Sequence, residues 1–217
     1  MDSSPVVPRS REFLQKRSRE THRALLAAAE RVFEARGYDD TQTPEIAKEA
    51  GVAVGTFYRY FDDKREIFLE MILGHLDRTY ERVMSNLSPE VFASSHSATE
   101  RRAIIERVVE LLFQVADERP ELHRLLLSVA LRDEGVAALR QEFEERSRGA
   151  LSQLIRLVVP ADRIADPEAA AEVIQIAAME VAFIASSYRA TRAGRIAAKA
   201  RRQALTDMLY RYVFGDE

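Results

Sequence analysis

Glycine and proline, the residues that end helices, number only eight and seven in 217 positions. Between them apolar residues recur at roughly 3.6-residue spacing. That period keeps one stripe on one side of a helix and would scatter it over both faces of a strand. The chain is therefore expected to be all-α, with about nine helices and no sheet. The first runs from about Arg19 to Arg36, with Leu25, Leu26, Ala29, Val32 and Phe33 as its stripe and Gly37 as its stop. Thr43 is expected to cap a helix opening at Pro44 and ending near Ala50, and a short helix follows at about Val54 to Tyr60. Asp62 or Asp63 caps a longer one that reaches about Asn86. Five more are expected at about 98–118, 120–132, 135–159, 167–191 and 194–214, with Pro120 and the pair Asp166-Pro167 marking starts.

Composition narrows the chemistry. Cysteine is absent, so there is no thiol nucleophile, thiolate metal site or disulfide framework, which suits a reducing cytoplasm. The opening segment "MDSSPVVPRSREFLQKRSRE" lacks the apolar core of a signal peptide. No run approaches the roughly 20 apolar residues of a membrane span, so a cytoplasmic protein without membrane contact is expected. The net charge is −3, yet Arg9, Arg11, Lys16, Arg17, Arg19 and Arg23 make the amino end basic, a pattern that suits a polyanion held at one end. A di-iron enzyme of helical-bundle type would need Glu-x-x-His pairs, and Glu20-Thr21-His22 and Glu121-Leu122-His123 have the wrong spacing. The four histidines, His22, His75, His96 and His123, are dispersed, and no phosphate-binding glycine loop occurs. No catalytic residue, metal or cofactor is expected.

The stretch "EIAKEAGVAVGTFYRYF" reads as helix, glycine turn, helix. Ile46, Ala47 and Val52 point inward, Gly51 supplies the left-handed turn residue, and small Ala47 lets the helices cross closely. In "VGTFYRYF" a 100° step gathers Val54, Phe57, Tyr58 and Phe61 on one side and Gly55, Thr56, Arg59 and Tyr60 on the other. Phe57 and Phe61 suit a core. The polar side suits a DNA major groove: Gly55 permits close approach, Thr56 and Arg59 reach base edges, and the hydroxyls of Tyr58 and Tyr60 bond phosphates.

From Arg23 to Ile72 the ordered set of Gly37-Tyr38, the threonine-rich helix entry, Ile46-Ala47, Ala50-Gly51-Val52, Gly55, Thr56, Tyr58, Phe61 and Lys64 resembles the DNA-binding region of the TetR family of bacterial repressors. The resemblance implies a homodimeric all-helical regulator whose carboxy-terminal domain binds a small molecule that releases the protein from its operator. It implies a basic arm over 1–18, a helix-turn-helix domain over 19–66 and a helical ligand-binding and dimerisation domain over 67–217. It also implies that Thr43 and Lys64 contact phosphates, that Val54, Gly55, Thr56 and Arg59 face the groove, and that Tyr58 and Tyr60 hold the backbone of an approximately palindromic duplex. Two positions depart from the family: Ala53 replaces the usual serine cap, and Val54 stands where a polar residue is common.

Between Val173 and Tyr188 the only formal charge is Glu180. Val173, Ile174, Ala177, Val181, Ile184, Ala185 and Tyr188 form one stripe, and Gln175, Met179, Glu180 and Phe183 a second, so both sides of this helix are expected to be covered. The final helix, with Ile196, Ala200, Ala204, Leu205, Met208, Leu209, Tyr212 and Val213, is amphipathic. The two resemble the family's dimerisation pair, which implies a homodimer through 167–191 and 194–214. A ligand cavity is expected to use Phe113, His123, Met179 and Phe183, with Glu180 meeting an arginine, a dimer-related group or a cationic ligand. A DNA-binding helical dimer without ligand gating, and an enzyme of helical-bundle type, are the alternative functions.

Overall fold

A computed structural model describes residues 9–95, 97–187 and 192–215, with side-chain environments for 16–95, 97–184 and 197–215. The side chains of Arg9, Arg11, Ala185, Tyr188, His96 and Ile196, all used above, lie outside that set. Among the described residues every regular element is a helix. The chain divides into two compact units, 1–74 and 75–217, a boundary further along than the residue 66 expected.

In the first unit α1 (Arg9–Asp40) begins at Arg9 rather than Arg19, so residues 9–18 of the expected arm are helical backbone. Its regular turns stop at Gly37, where φ 80° and ψ 173° are open to glycine alone. Next come α2 (Thr43–Glu49), α3 (Val54–Phe57) and the start of α4 (Lys64–Met84). The expected Thr43 cap is corrected: Gln42 holds the N-cap position in extended backbone, and Glu45 Oε2 accepts its N–H at 3.1 Å. Thr43 is already the first helical residue. Gly51, at φ 69°, ends α2 with the Gly51 N–H on Lys48 O and the Val52 N–H on Ala47 O, a Schellman turn. Asp63 caps α4, its Oδ1 accepting the Glu66 N–H at 2.8 Å. Leu25, Ala29, Phe33, Ile46, Phe57, Phe61, Ile67, Phe68 and Ile72 are buried together as the core of this unit, and Phe33 meets Phe68 edge-on at 5.0 Å.

The second unit continues from His75 on α4 through α5 (Pro89–Ala93), α6 (Ala98–Glu118), α7 (Pro120–Ala130), α8 (Glu134–Val158), α9 (Pro167–Ser187) and α10 (Arg192–Phe214). The five-residue α5 was not foreseen. Starts are fixed by side-chain caps: Ser97 Oγ accepts the Glu100 N–H while Glu100 returns the bond, Asp133 serves α8, and Asp166 accepts the N–H groups of Glu168 and Ala169. Ala170, Ala171, Ala178 and Ala182 line the inward side of α9. Their small volume lets α6, α8 and α10 approach closely, and Ile104, Ile105, Val109, Phe113, Leu154, Leu205 and Leu209 fill the core around them.

Two glycine substitutions should act in opposite senses. Gly37→Ala forces a side chain into a glycine-only conformation and is expected to destabilise by about 1–3 kcal/mol. Gly149→Ala, in the exposed interior of α8 with open space around the new methyl, is expected to stabilise by about 0.5–1 kcal/mol. Thermal midpoints should move in opposite directions, by about 2–4 °C per kcal/mol; equal signs would refute the role given to Gly37.

Candidate nucleic-acid interface and effector cavity

The short α3 is held from beneath. Phe57 and Phe61 are buried, their rings 5.6 Å apart, and Ala53 at the N-cap supplies no side-chain bond. Beyond Phe57 the backbone tightens: Arg59 N–H bonds Thr56 O and Tyr60 N–H bonds Phe57 O, both i to i−3. The α-helix is therefore one turn rather than the two expected. Gly55 and Arg59 are exposed and Thr56 is half-buried, and a methyl group built on Gly55 would enter open space. Val54 is 39% exposed. Tyr58, grouped by periodicity with the buried side, is 54% exposed, its ring edge-on to Phe57 at 5.5 Å. Half-buried Thr43 sits at the positive end of α2.

Two residues behave differently from their expected roles. Lys64 Nζ donates to three backbone carbonyls, Tyr38 O at 2.9 Å, Asp39 O at 2.9 Å and Thr41 O at 3.1 Å, and lies 4.9 Å from the centre of the Tyr38 ring. All three ammonium protons are engaged. The residue ties the corner after α1 to the start of α4, which corrects its expected role as a phosphate contact. Tyr60 is half-buried, its hydroxyl 3.1 Å from Ser18 Oγ. With Ser18, Arg19, His22 and Arg23 it rims a depression of about 310 Å³. Ser18 and His22 were not named as interface residues from the sequence; the spacing 18, 19, 22, 23 is that of one helix face. His22 Nε2 lies 3.1 Å from Glu70 Oε1.

In the second unit His123, Met179, Glu180 and Phe183 line one cavity of about 330 Å³, together with His75, Arg119, Arg140, Glu144, Arg148, Glu172 and Gln175. His123 stacks on Phe183, with ring centres 3.3 Å apart and planes within 4°. Burial, aided by Arg140, His75 and Arg124, lowers the His123 pKa to about 4. Burial with Arg78 and Arg119 lowers that of His75 to about 4. Both imidazoles are neutral near pH 7. A second chamber of about 130 Å³ adjoins the first in its lining, sharing Thr79, Val115, Phe143, Gln175, Met179 and Phe183.

Two cavity expectations are corrected. Phe113 lines neither chamber; it is buried in the core, with the Arg202 guanidinium 5.2 Å from its ring. Glu180 lines the larger cavity but is exposed rather than enclosed by apolar neighbours. The stripes of α9 also divide differently. Ile174 and Val181 pack on the core, Gln175, Met179 and Phe183 face the cavity, and Val173, Ile176 and Ile184 are 61%, 56% and 48% exposed.

The sequence matches the family description "Bacterial regulatory proteins, tetR family" over residues 25–71 and "Tetracyclin repressor-like, C-terminal domain" over 102–212. It is 32% identical over 106 residues to the HTH-type transcriptional regulator YdgC of Bacillus subtilis, covering 49% of this chain and 52% of that protein. It is 43% identical over 65 residues to the HTH-type transcriptional repressor BepR of Brucella suis, covering 30% of this chain and 31% of that protein. The match thus spans about half of one relative and under a third of the other. In fold, it is similar to a TetR-family transcriptional regulator of Mesorhizobium loti, with TM-score 0.67, 24% identity, and coverage of 88% of this chain and 98% of that one.

Lys64→Met keeps the aliphatic stem and removes the three donors. It is expected to destabilise the protein by about 1–3 kcal/mol by orphaning carbonyls, seen as a lowered thermal midpoint without DNA. An unchanged midpoint, with the slope of log affinity for DNA against log salt reduced by about one, would return Lys64 to the phosphate contacts.

Proposed function

Because this chain belongs to the TetR family of bacterial regulatory proteins, we propose that it is a homodimeric transcriptional repressor that leaves its operator when a small molecule occupies the carboxy-terminal unit. The family and the relatives above are transcriptional regulators, not enzymes. The observation that supports the reading is that Gly55 and Arg59 are exposed, with Thr56 half-buried, on a turn anchored by buried Phe57 and Phe61. Arg59 is long, exposed and charged, and guanidinium forms the commonest specific contact with guanine in the major groove. Val54 supplies apolar contact of the kind a thymine methyl accepts. Thr43, Tyr58, Arg19 and Arg23 supply donors or charge for phosphates.

Exposed apolar side chains support the dimer. Val173, Ile176 and Ile184 on α9, with Met208 and Tyr212 on α10, are each 47% exposed or more. Exposed apolar residues on two neighbouring helices suit an interaction surface. A two-fold axis through them would offer two reading faces to half-sites one helical turn apart, about 34–36 Å, or a multiple of it. The two-chamber cavity supports effector binding, because a site with apolar walls and a few polar groups suits a small molecule.

A duplex selected from a random pool, paired with a scrambled one, tests DNA reading. Affinity for both should fall steeply with salt while their ratio persists. Arg59→Ala should shrink that ratio by about fivefold to a hundredfold, equivalent to ~1–3 kcal/mol. An equal loss on both duplexes would make Arg59 a phosphate contact and end its assignment as the base reader. Met208→Glu is expected to convert a dimer into a monomer in sedimentation at micromolar concentration; a wild-type monomer there would sink the two-fold reading.

A further inference from the structure

We propose that the molecule taken by the carboxy-terminal unit is an anionic amphiphile, its head held at Arg119, Arg140 and Arg148, an oxygen near that head bonded to Gln175, and a tail of about six carbons in the smaller chamber. This rests on reading that unit as an effector domain and adds the chemical class of the effector.

The smaller chamber sets the tail. Its lining contains no charged side chain, and Leu87, Phe92, Ile105, Leu154, Ala178 and Phe214 are representative of its walls. At about 130 Å³ it is close in size to the cavity of about 150 Å³ that stays dry and accepts benzene in another protein. A hydrocarbon segment of that bulk fits, and a charged or strongly hydrated group does not.

Gln175 fixes the polarity at the neck, since it lines both chambers. Its Nε2 is buried and has no hydrogen-bond partner among the described residues. Buried amide donors are almost always satisfied, so an unpartnered one on a residue that lines both chambers calls for an acceptor, which an occupant's oxygen supplies once the amide turns toward the cavity. A carboxylate, ester or thioester oxygen at the base of an acyl chain meets that requirement.

The larger chamber selects the sign of the head. Its half-buried charges are Arg119, Arg140, Arg148 and Glu144, whereas Glu172 and Glu180 are exposed at the rim. Glu144 Oε1 is engaged by Arg140 Nε at 2.7 Å. The half-buried part of the lining therefore carries three guanidinium groups to one carboxylate, with the Arg140 and Glu144 side chains 41% and 40% exposed. The lowered pKa values of His75 and His123 agree: after burial, the arginines oppose protonation of both rings. A field that disfavours imidazolium disfavours a cationic head and favours an anion. Neutral imidazoles still offer one donor and one acceptor each to the headgroup.

Four probes with the full chain test this by calorimetry without DNA: octanoate, 1-octanol, octyltrimethylammonium and acetate. Octanoate is expected to bind at least tenfold tighter than octanol, with no binding of octyltrimethylammonium or acetate. Arg148→Ala should weaken octanoate at least tenfold and leave octanol unchanged. Gln175→Leu should weaken octanoate while raising the thermal midpoint of the unliganded protein, because it removes the unpaired donor; a rise shows that the variant is folded. Binding of octyltrimethylammonium as tight as that of octanoate, or an octanoate affinity indifferent to both substitutions, would overturn the proposal, as would failure of octanoate and dodecanoate alike to bind. Release of DNA is measured separately by anisotropy. Octanoate binding that leaves DNA affinity untouched supports the site and refutes gating, so the two readings fail independently.

Discussion

A four-residue helix cannot hold itself together in water, because nucleation costs more than one turn of hydrogen bonds returns. The outward face of α3 exists only because Phe57 and Phe61 are driven into the core of the first unit. Full burial of such rings contributes about 1.5–3 kcal/mol each, more than the side-chain cap that Ala53 does not provide, worth about 1 kcal/mol. The missing cap is therefore tolerable where loss of either phenylalanine would not be. Gly51 works on the same problem from the other side, turning the chain sharply enough that α3 starts where the core can receive Phe57.

The corner after α1 shows how one side chain can be claimed by two physical demands. Gly37 ends the helix and Thr41, fully buried, donates its hydroxyl to Gly37 O at 2.6 Å. The carbonyls of Tyr38, Asp39 and Thr41 converge, and Lys64 fills the place that water would otherwise take. A lysine near the negative end of a helix is stabilised there. Each bond it makes to a carbonyl is one it withholds from a phosphate. Sequence spacing cannot choose between those demands; the three distances do.

What the sequence revealed follows the same division between local and non-local causes. Helix starts at 120 and 167 were legible because caps and prolines act within a few residues: Pro120 and Asp166-Pro167 carry their meaning wherever the chain folds. Phe57 and Phe61 were legible because only one side of the turn is apolar enough to bury. Phe113 and Phe183 could not be told apart, since both are aromatic residues on amphipathic helices, and which one meets a cavity depends on the register of the facing helix. Glu180 misled for a related reason. An isolated charge in an apolar run looks buried by pattern, yet α9 has three environments rather than two, and its third side is exposed. Gln175 was legible only as a member of the stripe with Met179, Glu180 and Phe183, and its unpartnered amide was not. A cavity is a deficit of volume among several helices, and no single segment encodes it.

Magnitudes also decide which part of the two-chamber site can operate a switch. Moving a two-state population from 1:99 to 99:1 requires about 5.5 kcal/mol of differential affinity, and affinity common to both states contributes nothing. Satisfying one orphaned amide is worth about 1–3 kcal/mol, too little by itself. A tail of about six carbons, at roughly 0.8 kcal/mol per buried methylene, reaches the required scale. The apolar chamber can therefore drive the change only if it is closed or filled by protein in the DNA-binding state, whereas Gln175 and the arginines choose which molecule enters. By reciprocity the operator must then weaken the effector by the same factor as the effector weakens the operator. The tail would supply the force of the switch and the head its specificity.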